Sequence, residues 1–365
     1  MTDLPSHMNA IVLMRHGGLD ALEYRTDWPI PQATGREVLI KVGACGFNNT
    51  DVNTRSGWYS KTVDEATTGD AYSEVSNDDP TWGGAPITFP RIQGADVCGQ
   101  VVAVGADADE ALIGKRVITD NWLRDWNNPK NKNSTGYFGS ECDGGYAQYT
   151  KIDERNVYPI NCTLSDAELA TFSCSYSTAE GMLSRANVGD GDRVLITGAS
   201  GGVGSALIQL AKLRGAYVIA MTSAAKYDEV SKLNPDVILS RSQKNLAKVL
   251  KETTGSDTVS VVADVVGGEY FTTIIDVLQR GGRYTCSGAI AGPIVNLDLR
   301  TFYLRDLTFT GSTVVLPHIF NDLVGYIERG EIKPMLAVKF PLSDFHQAQK
   351  VFIDKLHTGN IVVCP

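Results

Sequence analysis

The chain lacks the features that mark a metal-stapled, disulfide-bonded or membrane-spanning protein. Its seven cysteines (Cys45, Cys98, Cys142, Cys162, Cys174, Cys286 and Cys364) are scattered, without one Cys-x-x-Cys pair, and its five histidines (His7, His16, His318, His346 and His357) show no ligand spacing. That pattern excludes a local zinc cluster and a disulfide framework, and it fits a reduced, cytoplasmic protein. No apolar run approaches the ~20 residues of a membrane span, and the start of the chain has no signal-peptide pattern. Positive charge is not in excess either. A net charge of −9 argues against nucleic acid or an anionic membrane as the main partner. Repeats and low-complexity segments are missing too. What remains is an ordinary globular composition, 43% hydrophobic and 21% charged over 365 residues, enough for two domains with separate cores.

The most informative stretch runs from Val194 to Gly204, Val-Leu-Ile-Thr-Gly-Ala-Ser-Gly-Gly-Val-Gly. It reads as a buried strand passing through a glycine turn into an amphipathic helix that continues from Ser205. Glycines let the backbone approach a phosphate, and a helix start offers unpaired N–H groups and the positive end of its dipole. The second apolar run, Tyr217–Met221, completes a βαβ context, so Gly198, Ser200, Gly201, Gly202, Val203 and Gly204 are expected to hold a dinucleotide pyrophosphate. After that second strand, a site for NAD usually carries an acid for the ribose 2′-hydroxyl. Here the chain reads Thr222, Ser223, two alanines, Lys226 and Tyr227, with no carboxylate before Asp228. Hydroxyls, a lysine and a tyrosine can neutralise or hydrogen-bond a 2′-phosphate, so NADPH is the expected cofactor. The competing reading makes Lys226 a solvated residue of the next helix.

The first part of the chain alternates short β-like runs (9–14, 37–42, 99–104, 116–119 and 146–149) with Gly and Pro turns, which suggests a β-rich unit. From about Ser165 the period changes. A helix is expected over 166–184, and strands at 218–220, 261–264, 283–288 and 307–311 then alternate with helices, implying a doubly wound parallel sheet. The tail returns to helices at 318–329 and 345–357 and one closing strand.

With that order in hand, the chain resembles the medium-chain dehydrogenase/reductase superfamily over nearly its whole length. The landmarks are Cys45-Gly-Phe-Asn-Asn-Thr-Asp, the run Ile92–Gly105, Gly144-Gly-Tyr-Ala-Gln-Tyr, the glycine turn, Asp264-Val-Val-Gly-Gly, Gly281-Gly282 and Gly359-Asn-Ile-Val-Val. The resemblance implies an α/β architecture: a GroES-like β-rich catalytic domain (1–160 and 318–365) interrupted by a Rossmann NADP-binding domain (161–317), with the active site in the cleft between them. It also implies a homodimer joined through the Rossmann edge strand near Leu307–Val315.

The zinc branch of that superfamily holds its catalytic metal with a Cys, a His and a second Cys. This chain carries Asn48 at the first position and Gly94-Ala95-Asp96 in place of Gly-His-Glu, and only Cys174 falls at the third. One thiolate cannot replace three ligands. The resemblance therefore points to the zinc-free, quinone-oxidoreductase-like branch, with no metal and with Cys174 as a buried structural thiol. Charge on a substrate oxygen must then be met by uncharged donors, for which Asn48 is the leading candidate. By the same resemblance Thr50 stands at a relay-hydroxyl position, Asp51 matches an aspartate that orients the loop, and Tyr59 matches a proton-donating tyrosine. Thr178, Val265, Gly267, Gly288 and Asn360 are implied around the cofactor.

Two segments, 60–89 and 120–143, are longer than compact zinc-free members require, and long loops are commonly functional. The first carries Asp64, Glu65, Asp70, Glu74, Asp78 and Asp79; Trp82, Trp122 and Trp126 lie in the two, and Trp58 abuts the first. An aromatic lid would bury an apolar or aromatic substrate, and a satellite core or a subunit contact is the equal alternative. The leading expectation is an NADPH-dependent, zinc-independent reductase of a quinone, enone or enal. The alternatives are a zinc-free ketone or aldehyde reductase, an enoyl-thioester reductase, and a non-catalytic NADPH-binding structural or sensor protein.

Overall fold

The computed structural model describes residues 4–70, 72, 75–76 and 78–365, folded as two compact units. The first unit takes the chain up to Val63, Thr68–Cys174 and Leu316–Pro365; the second takes Asp64–Thr67 and Ser175–Val315. The division therefore runs through the helix Ser173–Arg185, and it counts four residues of the first long loop with the second unit.

The first unit is built on Glu37–Gly46, a strand buried along almost its full length. Its Val, Leu and Ile residues pair antiparallel with Asp96–Val104, with register shifts at Leu39/Ile40 and Val42/Ala44. It also pairs with Tyr149–Asp153 and, near Cys45 and Gly46, with the C-terminal strand Asn360–Cys364. Arg116–Thr119, Val157–Pro159 and Leu336–Pro341 complete a seven-stranded sheet. Phe47 centres the core, with ring centroids 5.2 Å from Tyr146 and 5.0 Å from Phe345. The strand expected over 146–149 begins at Tyr149 instead, because Gly144 and Tyr146 bond the carbonyls of Ile92 and Gln93 rather than the sheet.

The second unit is a six-stranded, all-parallel sheet in the order Val237–Ser240, Tyr217–Thr222, Arg193–Ile196, Val259–Asp264, Leu278–Cys286, Thr308–Gly311. Chain order reverses between the third and fourth of these, which is where doubly wound sheets bind ligands. The helix Gly202–Leu213 buries Leu207, Ile208, Leu210 and Ala211 against the sheet, as its apolar spacing dictates. The helix expected over 166–184 is two, Asp166–Leu169 and Ser173–Arg185. Between them the Thr171 hydroxyl takes the Glu168 carbonyl at 2.7 Å, a side-chain bond that competes with helix continuation. Among the described residues no helix is long and apolar enough to cross a membrane.

Candidate active site

In the second unit the strand Arg193–Ile196 is followed by Thr197, and the chain turns through Gly198 at φ +58°, a left-handed conformation that favours glycine. Gly201 caps the helix Gly202–Leu213, and Ser200, Gly202 and Val203 are partly exposed around it. A Cβ at Gly204 would stand 2.1 Å from the Gly198 carbonyl oxygen, so only glycine lets the helix close onto the turn. The unpaired N–H groups of the first helical turn are thus presented at the sheet's switch point. This cradle fits a dinucleotide pyrophosphate.

Asp264, at the end of the neighbouring strand, locks the turn. Fully buried, it accepts the Thr197 hydroxyl at 2.5 Å, the Tyr284 hydroxyl at 2.9 Å and the N–H groups of Val266 and Gly267. Val265 in turn donates to Thr197 at 3.2 Å. Sequence reading used Asp264 only as a landmark; its positioning of both strand ends comes from hydrogen bonds that no spacing reveals. Gly288 is exposed beside Val265, and Gly267 takes φ +62°. Thr178 is half-buried on the helix Ser173–Arg185.

Beyond the second strand, Thr222 is buried and its hydroxyl oxygen has no hydrogen bond. Ser223 and Lys226 are half-buried, and Tyr227 is exposed. The Lys226 ammonium is pushed below its ordinary range by burial and by the nearby Arg241 guanidinium. Arg241 follows the strand Val237–Ser240, and its N–H donates to the Thr222 carbonyl at 2.9 Å. Two cations therefore converge beside the end of the second strand. Arg241 was missed because it arrives from the next strand in the sheet.

The other predicted residues lie in the first unit, at the start of the helix Asn49–Ser56. Asn48 caps this helix, and its backbone N–H donates to Asp51 at 2.8 Å. The same Asp51 oxygen accepts the Tyr146 hydroxyl at 2.7 Å, so Asp51 fixes the loop. Burial raises the Asp51 carboxyl to about 6 despite these donors. The Tyr59 hydroxyl donates to Thr50 at 3.4 Å, and burial raises its phenol above the ordinary range. Asn360 is buried at the start of the C-terminal strand, donating to the Met335 carbonyl at 2.7 Å.

Asp96 was not singled out in the sequence. It is fully buried, and its Oδ1 accepts the Cys174 N–H at 2.9 Å and the Asn121 amide at 3.0 Å. Its Oδ2 has no hydrogen bond, nor does the buried Asn48 Nδ2, although the Asn48 amide is near enough to favour the ionised carboxyl. Burial dominates and raises Asp96 to about 7, with Asp51 pushing the same way. Cys174 is half-buried rather than buried, and its thiol neighbours the Tyr137 hydroxyl.

The three positions that would carry zinc ligands thus hold Asn48, Ala95 and Cys174: an amide, a methyl and one thiol. The adjoining Asp96 favours its proton, and among the described residues no three His, Cys, Asp or Glu side chains are grouped to hold a metal ion. This donor set does not fit zinc.

The long loops meet beside this cluster. Trp82 from the first and Trp122 and Tyr137 from the second form an edge-to-face trio with centroids 5.1–5.6 Å apart. Trp126 lies apart, flanked by Arg124 and Arg155 at a shallow depression of about 360 Å³ whose arginines are already paired with Asp120 and Asp153. Arg55, fully buried, ties the first loop down through the carbonyls of Gly17 (2.6 Å) and Gly69 (2.9 Å). Asp64 and Glu65 belong to the second unit, and Glu74 lies outside the described residues.

Comparison with known proteins gives a consistent result. Residues 34–162 match the alcohol dehydrogenase GroES-like domain and residues 202–329 the zinc-binding dehydrogenase family. A protein of Sinorhizobium meliloti 1021, provisionally assigned as an alcohol dehydrogenase, is 43% identical, with a TM-score of 0.90 over 100% of this chain and 98% of that one. The NAD-dependent alcohol dehydrogenase of Sulfolobus acidocaldarius is 26% identical over 97% of each chain. The chloroplastic NADPH-dependent alkenal/one oxidoreductase of Arabidopsis thaliana is 27% identical, over 99% of this chain and 81% of that one.

Proposed function

The chain belongs to the medium-chain dehydrogenase/reductase superfamily of pyridine-nucleotide-dependent oxidoreductases, and from that premise we propose that it is an NADPH-dependent, zinc-independent reductase of conjugated carbonyls: enones, enals or quinones. The observation that carries this reading is the buried, unpaired Asn48 amide beside a donor set that does not fit zinc. A desolvated donor without a partner is costly to the fold, about 1–3 kcal/mol, and is retained where a ligand completes it. A carbonyl oxygen gaining charge is such a ligand.

The dinucleotide, when bound, supplies a hydride. Gly198, Ser200, Gly201, Gly202, Val203 and Gly204 would hold its pyrophosphate, with Val265, Gly288, Thr178 and Asn360 around the remainder. Thr222, Ser223, Lys226, Tyr227 and the additional Arg241 would take the 2′-phosphate, whose charge relieves the repulsion between the two cations. Asn48 hydrogen-bonds the substrate oxygen, and Asp51 keeps the Asn48 backbone in place. Conjugation spreads the developing charge, so an uncharged donor suffices where a saturated ketone leans on a Lewis acid. Trp82, the half-buried member of the trio it forms with the buried Trp122 and Tyr137, offers an apolar surface that suits a small apolar or aromatic carbonyl compound. The chain is also proposed to form a homodimer: Thr308–Gly311 is an open sheet edge, and Leu299, Tyr303 and Leu304 are exposed beside it.

A second reading has one observation in its favour. The Thr50–Tyr59 hydroxyl pair is a ready proton relay for reduction of a ketone or aldehyde to an alcohol. NADPH oxidation with an α,β-unsaturated ketone and its saturated analogue, both in EDTA, separates the two. Turnover of the unsaturated member alone supports conjugate reduction, and turnover of the saturated ketone supports the relay.

A further inference from the structure

We propose that Asp96 is the acid of this site, giving the proton on its Oδ2 to the substrate oxygen that Asn48 binds. The inference rests on the conjugated-carbonyl reading above and deepens it. Asp96 Oδ1 is taken by two donors, the Cys174 N–H and the Asn121 amide, whereas Oδ2 is buried with no hydrogen bond. A proton on this carboxyl therefore belongs on Oδ2, beside the equally unpaired Asn48 Nδ2. Protonated, the pair is two donors with no acceptor, which a single carbonyl oxygen satisfies.

Burial raises both aspartates, Asp51 to about 6 and Asp96 to about 7, so Asp51 gives up its proton first. Asp51, from the helix Asn49–Ser56, has its charge held by the Asn48 N–H and the Tyr146 hydroxyl. That charge in turn favours the proton on Asp96. The other titratable neighbours are Cys174 from the helix Ser173–Arg185, Tyr137 from the strand Gly136–Tyr137, Cys45 from Glu37–Gly46, and Tyr146. Burial raises each of those whose shift is resolved, Cys45, Tyr137 and Tyr146, and so keeps them neutral where Asp96 exchanges its proton. Between those values Asp51 serves as the charged anchor and Asp96 as the acid.

The step balances. As hydride reaches the β-carbon of an enone, the C=C pair becomes the new C–C π bond and the carbonyl π pair moves to oxygen. That oxygen takes the Asp96 proton to give the enol, and Asp96 is left as carboxylate. The enol then becomes the saturated ketone by gaining a proton from water at the α-carbon and releasing its O–H proton, and Asp96 regains a proton from water.

Infrared spectra of the full-length protein between pH 5 and 9, wild type minus D96N, read the carboxyl without any substrate. A protonated-carboxyl band absent from D96N and titrating away near pH 7 is expected; a carboxylate throughout that range overturns the proposal. With NADPH and a conjugated ketone, kcat/KM of the wild type should fall tenfold per pH unit above about 7. D96N should lose that limb and about 100-fold in kcat with nucleotide affinity unchanged, and D96E should restore the limb. An alkaline limb that survives in D96N, or that disappears in Y59F, also overturns it. Should D96N not fold, the wild-type pH profile and its persistence in Y59F still decide. If no conjugated carbonyl turns over, the functional reading fails and the acid role with it, while the infrared titration reports separately whether Asp96 holds a proton.

Discussion

Removing Lys226 and Arg241 should convert a selective NADPH site into an indifferent one. Burial first and the Arg241 guanidinium second push the Lys226 ammonium below its ordinary range, so a 2′-phosphate binding beside the two cations gains attraction and relieves their repulsion. A charge-assisted hydrogen bond is worth about 1.5–3 kcal/mol when shielded. Lys226 is only half-buried and Arg241 exposed, so water and salt reduce each to about 1 kcal/mol. At 1.4 kcal/mol per tenfold, K226A or R241A should weaken NADPH about fivefold, and the double variant about 30-fold. NADH, lacking the phosphate, should bind all of them alike. Protein-fluorescence titrations with both nucleotides at low and high salt would read this directly, with the salt dependence confined to NADPH and lost in the double variant. Equal affinity for NADPH and NADH in the wild type, or parallel loss of both in the double variant, would refute the reasoning.

Further expectations rest on other contacts. N48A should lower kcat about 10²–10³-fold while leaving the NADPH Kd unchanged, as steady-state kinetics beside binding titrations will show. G204A places a methyl against backbone atoms that cannot yield; a loss of about 1–3 kcal/mol in urea melts, with nucleotide binding abolished, is expected. R55M strands the Gly17 and Gly69 carbonyls and should expose the 60–89 loop to limited proteolysis while leaving the nucleotide turn intact. Asp96 also makes stability depend on pH. A carboxyl held near 7 in the fold keeps a proton that the unfolded chain releases near 3.8, so stability falls between those values and stays lower above them. The ceiling is about 4 kcal/mol. Melts at pH 4 and pH 8 should show the wild type losing ground to D96N by a substantial part of that ceiling.

The glycine turn and the alternation of strands and helices after Ser165 were legible because each rests on local chemistry: turn glycines, apolar period, and buried runs between them; the return of the C-terminal strand to the first unit came from the family resemblance. Edges were less so. The strand Leu22–Pro29 has a mixed burial pattern and declares itself only through its partner, and Leu336–Pro341 alternates half-buried with exposed residues but buries none of them fully. The helix Asn49–Ser56 is polar along its length yet mostly buried, the inverse of the pattern that sequence reading looks for. In the site, Asn48, Thr50, Asp51 and Tyr59 could be named only through the family resemblance, which sets each against a position of known role; their spacing alone assigns no chemistry. Asp96, Asn121, Asp264 and Arg241 could not, because their significance comes from neighbours brought together by the sheets. The tryptophans of the two long loops raised a lid or a satellite core as expectations, but the sequence did not say that Trp82 and Trp122 would meet around Tyr137 while Trp126 lies apart.

The reaction itself is tested most directly by following the hydrogen. With NADPH carrying deuterium at C4 and an α,β-unsaturated ketone as substrate, in EDTA, the product is isolated and the label located by NMR. Deuterium on the β-carbon of a saturated ketone is the expected result. Deuterium on the carbinol carbon of an allylic alcohol would contradict conjugate reduction and leave carbonyl reduction through Thr50 and Tyr59 as the reading to pursue.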